Sequence, residues 1–143
     1  MARGTRRVGR YPRQLLRDVL WSFTRPAFRS RARFEQAVAA YQRSLDVEDN
    51  WRPAEVVLPC PRVRVRPDFW DDLEPDEAKE LVTELTAEDA AAFTAGELLF
   101  KVHNVFIRQW GEVAGDYTFF EGILLKGSPR GNTPPLYDIC LGS

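Results

Sequence analysis

The sequence predicts an α+β fold in which two N-terminal helices and one central helix pack on a mostly antiparallel sheet. Two observations lead to this prediction: apolar residues at helical spacing in three segments, and β-branched or aromatic runs between Pro- and Gly-rich turns. The chain has 143 residues, of which 44% are hydrophobic, and this suffices for one domain with its own core. We expect a basic flexible arm at residues 1–12 and a single domain at residues 13–143.

Three segments have the apolar periodicity of an amphipathic helix. Apolar residues recur three or four positions apart at residues 13–23 and 31–45, and a short link between the two helices favours a helical hairpin or corner. A third helix is predicted at residues 95–109, where Thr94 begins a capping box that satisfies free backbone N–H groups. Gly111 is expected to end this helix.

Five segments are predicted to be strands, at residues 55–58, 62–66, 79–86, 117–126 and 136–141. Arginine and valine alternate at residues 62–66, and the prolines on both sides favour an edge strand with one exposed face. The Ala and Glu content around residues 79–86 leaves helix as an alternative there. The last two strands are expected to pair antiparallel through a loop at residues 127–135.

The charges of the chain are divided between its two halves. Residues 1–66 hold fifteen Arg and six acids, a net charge of +9, whereas residues 67–143 hold five basic residues and fifteen acids, a net charge of −10. We expect the two halves to meet, within one chain or across a homodimer, because contact between opposite charges lowers self-repulsion. In particular, Arg62, Arg64 and Arg66 should meet carboxylates of residues 68–77, Glu80 or Glu84. An alternative is that the Arg-rich N-terminus binds nucleic acid.

An acidic segment that also carries large apolar residues is the predicted partner-binding site. Aromatic anchors surrounded by negative charge suit a basic protein partner, because the aromatic residues supply contact area and the charges steer the encounter. The predicted binding residues are Asp68, Phe69, Trp70, Asp71, Asp72 and Glu74.

His103 is the only histidine, and it limits what catalytic chemistry is available. An alternative function is a small hydrolase-like enzyme that uses His103 with Glu121 or Asp116 as an acid–base pair. A lone histidine on a helix is more often a hydrogen-bonded core residue, so no catalytic residue is assigned. The sequence has no Cys/His pattern with metal-ligand spacing and no phosphate-binding loop, and we expect no metal and no cofactor.

The two cysteines and the N-terminus indicate the cellular compartment in which the protein is expected. Cys60 and Cys140 lie in or beside apolar segments and are expected to be free thiols. No apolar run of signal-peptide or membrane-spanning length follows the Arg-rich N-terminus. We therefore expect a cytoplasmic protein with no membrane association.

Several short segments in the last fifty residues carry a resemblance to known proteins: Gly96-Glu97-Leu98-Leu99, His103-Asn104, Gly115-Asp116, Phe119-Phe120-Glu121-Gly122, Pro135-Leu136-Tyr137 and Leu141-Gly142-Ser143. They resemble small bacterial proteins of the toxin–immunity kind, with no specific family identified. The resemblance implies binding to a cognate toxin and implies no active site. The predicted function is thus a non-catalytic protein-binding module, of the kind that neutralises a bacterial toxin.

Overall fold

The computed structural model describes residues 11–127 and 131–143, apart from the side chains of Trp70 and Asp71. The fold is α+β. The helices of the described residues are α1 (Arg31–Ser44), α2 (Pro75–Leu81), α3 (Ala95–Val105) and α4 (Gly111–Ala114), and a π-helical turn at Phe106–Trp110 joins α3 to α4. The strands are β1 (Gln14–Leu15), β2 (Trp21–Ser22), β3 (Val56–Leu58), β4 (Arg62–Pro67), β5 (Thr83–Thr86), β6 (Phe93–Thr94), β7 (Phe119–Leu125) and β8 (Leu136–Gly142).

The main sheet has six strands in the order β1-β7-β8-β4-β5, and β2 also pairs with β7. Its pairs are antiparallel except for β4 and β8, which run parallel. The predicted antiparallel pairing of the last two strands is confirmed, since Phe120 lies opposite Leu141 and Leu125 lies opposite Tyr137. A separate two-stranded sheet pairs β3 with β6.

The two faces of the main sheet differ in chemistry. One face, here called the apolar face, packs against helical residues: Phe23 stacks on Phe106 at 4.6 Å between ring centroids and meets Phe120 edge-on at 5.9 Å. Side chains alternate between faces along a strand, so the neighbours of the apolar residues point the other way. This second face, here called the polar face, carries Arg62, Arg64, Arg66, Glu84, Phe119, Glu121, Asp138 and Cys140.

The N-terminal helix predicted at residues 13–23 is wrong. β1 and β2 occupy this segment instead, and both pair with β7, with Leu15 opposite Ile123 and Trp21 opposite Phe120. Leu16 has a φ of 55°, which no right-handed helix accommodates. Of the apolar residues predicted to form one helical stripe, Leu15, Val19 and Phe23 are buried, Leu16 is half-buried and Leu20 is 40% exposed. The core residues were therefore identified only in part, and the backbone conformation was not.

Two further predictions in the middle of the chain need correction. The strand at residues 62–66 is not an edge strand, because β4 lies between β5 and β8. The strand predicted at residues 79–86 combines the end of α2 with β5, and Pro75 stands at the first helical position of α2, where its missing N–H is harmless. The helix predicted at residues 31–45 is confirmed as α1, which Ser30 caps by accepting a hydrogen bond from Arg33 N.

The central helix begins where predicted but does not end at Gly111. Thr94 Oγ1 accepts a hydrogen bond from Glu97 N at 3.2 Å, as a helix cap requires. The helix then continues through the π-helical turn and α4 to Ala114. Gly115 follows the last turn with a φ of 58° and a ψ of −117°, a conformation that glycine adopts more readily than other residues.

The arginines of β4 meet the second half of the chain in two cases of three. Arg62 Nη1 lies 3.3 Å from Glu84 Oε2, as predicted, whereas Arg66 Nε lies 2.6 Å from Oδ1 of Asp138, which was not among the predicted partners. Arg64 Nε instead donates to the carbonyl oxygen of Pro134 at 3.1 Å. Elsewhere Arg31 of α1 lies within 4 Å of both Glu88 and Glu97. The charges of the two halves are thus partly paired within one chain.

The structure bears on three further predictions. Both cysteines are free thiols, Cys60 buried and Cys140 half-buried. Residues 1–10 of the predicted arm lie outside the described residues, but its end is attached to the domain: the hydroxyl of Tyr137 donates to Pro12 O at 2.7 Å. Among the helices of the described residues, none has the length and apolar character needed to cross a bilayer.

Candidate functional site

His103 lies at the centre of the aromatic core. It is fully buried on α3, and the rings of Trp21, Phe23, Phe28 and Phe34 surround it at centroid distances of 5.3 to 5.8 Å. Trp21 Nε1 donates to Nδ1 at 3.1 Å, and Nε2 lies 3.0 Å from Pro26 O. Because the indole N–H can only donate, Nδ1 is the acceptor and Nε2 carries the proton. Both ring nitrogens therefore have partners, and the ring is neutral.

The surroundings of His103 favour this neutral form. Burial lowers the pKa of His103 below its usual value, and the positive charge of Arg25 acts in the same direction, against the hydrogen bond to Pro26 O. Neither predicted carboxylate partner shares its environment. Glu121 is exposed on the polar face, on the other side of the sheet, and Asp116 is exposed in the loop after α4. The geometry gives His103 a structural role and offers the enzymatic alternative no support.

Glu121 belongs to the bulged part of β7. The register between β7 and β8 shifts between Phe120 and Ile123, and Gly122 has a φ of 107°. The Glu121 carboxylate lies over Gly142 of β8, where an added Cβ would come within 2.2 Å of Oε2. Glycine at position 142 thus leaves the space that the Glu121 carboxylate occupies. The Glu121 side chain is otherwise exposed.

The acidic segment predicted to bind a partner forms a 3-10 turn at Asp68–Asp72 directly after β4. Asp68 Oδ2 accepts a hydrogen bond from Leu141 N at 3.3 Å, and this attaches the turn to the end of β8. Desolvation raises the pKa of Asp68, and the negative charges of Asp138 and Glu121 add to the effect, while the bond from Leu141 opposes it. Carboxylates therefore accumulate where the turn meets the polar face.

The fold adds two aromatic residues that the sequence prediction missed. Phe69 stacks on Tyr117 with 6.4 Å between ring centroids. Tyr117 is 49% exposed, and Phe119, two residues later on the polar face, is 44% exposed. These three side chains and their acidic neighbours, here called the acidic aromatic surface, comprise Phe69, Tyr117, Phe119, Asp68, Asp72, Glu74, Asp116 and Glu121.

The predicted site residues are thus only partly brought together. Asp72 and Glu74 are exposed beside Phe69, while the side chains of Trp70 and Asp71 lie outside the described part of the chain. Tyr117 and Phe119 could have been suspected because aromatic residues are frequent in binding surfaces, but only the tertiary fold brings Tyr117 beside Phe69. Within the described residues, no group of three His, Cys, Asp or Glu side chains is arranged to hold a metal ion.

Comparison with known proteins leaves the fold and this surface as the basis for functional inference. No protein-family model matches the chain, and neither the curated proteins nor the solved structures include a significant match. The resemblance of the C-terminal segments to toxin–immunity proteins therefore stays a prediction.

Proposed function

We propose that the protein is a non-catalytic binding module whose acidic aromatic surface recognises a basic protein, in the manner of an immunity protein that neutralises a toxin. The observation that carries the proposal is the stack of the exposed Tyr117 on the half-buried Phe69, with the exposed Phe119 two residues after Tyr117. Exposed aromatic side chains are the most frequent anchors of protein interfaces, since they bury a large area with few rotatable bonds.

The charge around these rings favours a basic partner over an acidic or neutral one. Asp68, Asp72, Glu74, Asp116 and Glu121 are all exposed, and none of them forms an ion pair with a described residue. A partner that brings Lys or Arg to this surface gains charge-assisted contacts without first breaking an internal pair. Complementary charge also speeds association, and that contribution weakens as salt is added.

The test compares two double variants of the full chain. Tyr117→Ala/Phe119→Ala removes two aromatic anchors, and Leu45→Ala/Val56→Ala removes two apolar side chains of similar exposure elsewhere. Wild-type protein is used to capture its stoichiometric partner from the native host, and calorimetry then measures the affinity of that partner for each variant. We expect Tyr117→Ala/Phe119→Ala to weaken binding by about 30-fold or more, as loss of an interface anchor does.

If the proposal is correct, the captured partner should have two further properties. It should be basic, with an affinity that falls as salt rises, and if it is toxic, co-expression of the wild-type chain should restore growth of cells that produce it. A partner bound equally well by wild type and Tyr117→Ala/Phe119→Ala would exclude the acidic aromatic surface as its site. Failure to capture any stoichiometric partner would count against a binding module altogether.

A further inference from the structure

A groove with three cations lies away from the acidic aromatic surface, between α3 and the chain that precedes α1. Its volume is about 480 Å³, within the range of small-molecule sites. Phe28, Leu85, Phe100 and Val105 supply apolar surface, and Asn104 and Gln109 supply amides. The lining therefore combines an apolar floor with a few polar groups, as ligand pockets commonly do.

The charged residues that line this groove are all positive: Arg29, Lys101 and Arg108. Lys101 is held in place, because its Nζ donates to Thr86 O and to Glu97 Oε2. Arg29 and Arg108 are exposed, and neither forms an ion pair with any carboxylate of the described residues. Two guanidinium groups thus remain available to an anion above an apolar floor.

The walls of the groove are fixed by specific contacts. Asn104 Oδ1 accepts from Phe28 N and Asn104 Nδ2 donates to Phe28 O, both at 2.9 Å, so one buried amide attaches the Phe28 segment to α3. Arg108 and Gln109, in the π-helical turn Phe106–Trp110, also line the groove. Short π-helical segments cost helix stability and occur frequently at functional sites.

We propose that this groove binds a small organic anion with an apolar body. The body rests on Phe28, Leu85 and Phe100, and the carboxylate or phosphate group receives hydrogen bonds from the guanidinium groups of Arg29 and Arg108. Guanidinium groups match both anions because their N–H donors pair with two oxygens at once. The proposal is independent of the protein partner considered above, since the two surfaces share no residue.

The test is calorimetric titration of the full chain with 1-naphthoate, 1-naphthyl phosphate and the neutral 1-naphthalenemethanol. The first two distinguish a carboxylate ligand from a phosphate ligand, and the third measures the contribution of the apolar body alone. We expect saturable 1:1 binding of at least one anion and binding of the alcohol weaker by about 10-fold or more, because a charge-assisted hydrogen bond contributes about that factor.

Two double variants test whether the anion binds in this groove. Arg29→Gln/Arg108→Gln should weaken the anion by about 10-fold or more, whereas the control Arg33→Gln/Arg43→Gln, which removes two exposed arginines of α1, should leave its affinity within about 2-fold. All four positions are exposed, so both variants should fold, and circular dichroism checks this. The proposal is overturned if neither anion binds below about 5 mM, if the alcohol binds equally well, or if Arg29→Gln/Arg108→Gln retains the wild-type affinity.

Discussion

Buried polar side chains lie near both faces of the main sheet, but their hydrogen-bond partners differ between the two faces. Beside the apolar face, the buried Gln42, His103 and Asn104 are neutral and bind mostly backbone groups. On the polar face, Arg66 and Asp138 are charged and bind each other at 2.6 Å. Desolvating a neutral amide costs far less than desolvating a charge, so a buried charge needs a charged partner, as Glu97 of α3, only 3% exposed, also has in Lys101 at 2.9 Å. The burial of a polar side chain and the groups it bonds to, more than its residue type, thus determine its role in the fold.

We expect the largest difference in the free energy of unfolding when a phenylalanine on each side of the sheet is replaced by alanine. Phe34→Ala opens a cavity in the fully buried cluster around His103, and we expect it to lower the free energy of unfolding by about 3–5 kcal/mol. Phe119→Ala on the polar face should cost at most about 1 kcal/mol. Urea denaturation measures both values. Similar losses would mean that Phe119 is part of the core and would remove it from the acidic aromatic surface.

A smaller difference is expected within the polar face, between its buried and its exposed ion pair. Asp138→Asn should lower the free energy of unfolding by about 2 kcal/mol, because the Arg66–Asp138 side chains are 12% and 8% exposed and the pair loses its charge attraction in partly desolvated surroundings. Glu84→Gln, which breaks the exposed Arg62–Glu84 pair, should cost about 0–1 kcal/mol. The same denaturation experiment serves for both. Equal costs would show that solvent reaches Arg66 and Asp138 as freely as it reaches Arg62.

The smallest effect concerns the apolar face and depends on pH. Since burial lowers the pKa of His103 in the folded state, the unfolded chain takes up a proton first as the pH falls through about 6.5. His103 should therefore stabilise the fold above that pH and lose up to about 1.4 kcal/mol of this contribution per pH unit below it, until the folded state is also protonated. In His103→Gln the free energy of unfolding should fall less steeply between pH 6.5 and pH 5. An identical slope in both proteins would show that His103 is accessible to solvent and to protons.

Local sequence patterns were sufficient to predict the elements whose conformation depends on neighbouring residues in the chain. Thr94 caps α3 as predicted, and the β-branched and aromatic run of β7 forms a strand. The segment at residues 13–23 failed because its apolar spacing fits a helix, yet β7 offers backbone pairing to both of its ends. No local pattern reveals that a distant strand will compete for those hydrogen bonds.

The acidic aromatic surface was likewise predictable only where it depends on a short stretch of sequence. The acidic and aromatic composition of residues 68–74 marked one half of it, because composition is a property of a short segment. The other half, Tyr117 and Phe119, depends on the stack with Phe69 and on the register of β7 against β8. For His103, the sequence indicated only that a core role was the commoner one. Of its two hydrogen-bond partners, Trp21 lies in the segment whose conformation was predicted incorrectly, and Pro26 follows that segment in the link before α1.

The parallel pairing of β4 with β8 has a consequence for the rate of folding. The pair joins residues 72 positions apart in sequence, as in the contact of Arg66 with Asp138, and β8 is also the neighbour of β7 in the middle of the sheet. Closing so long a loop costs chain entropy before any contact compensates for it, and domains rich in such contacts fold slowly. During synthesis, β4 and β5 are made long before residues 136–142 exist to join β4 to β7. Until then the apolar sides of these strands have no complete sheet to join, and the nascent chain is exposed to aggregation or to chaperones.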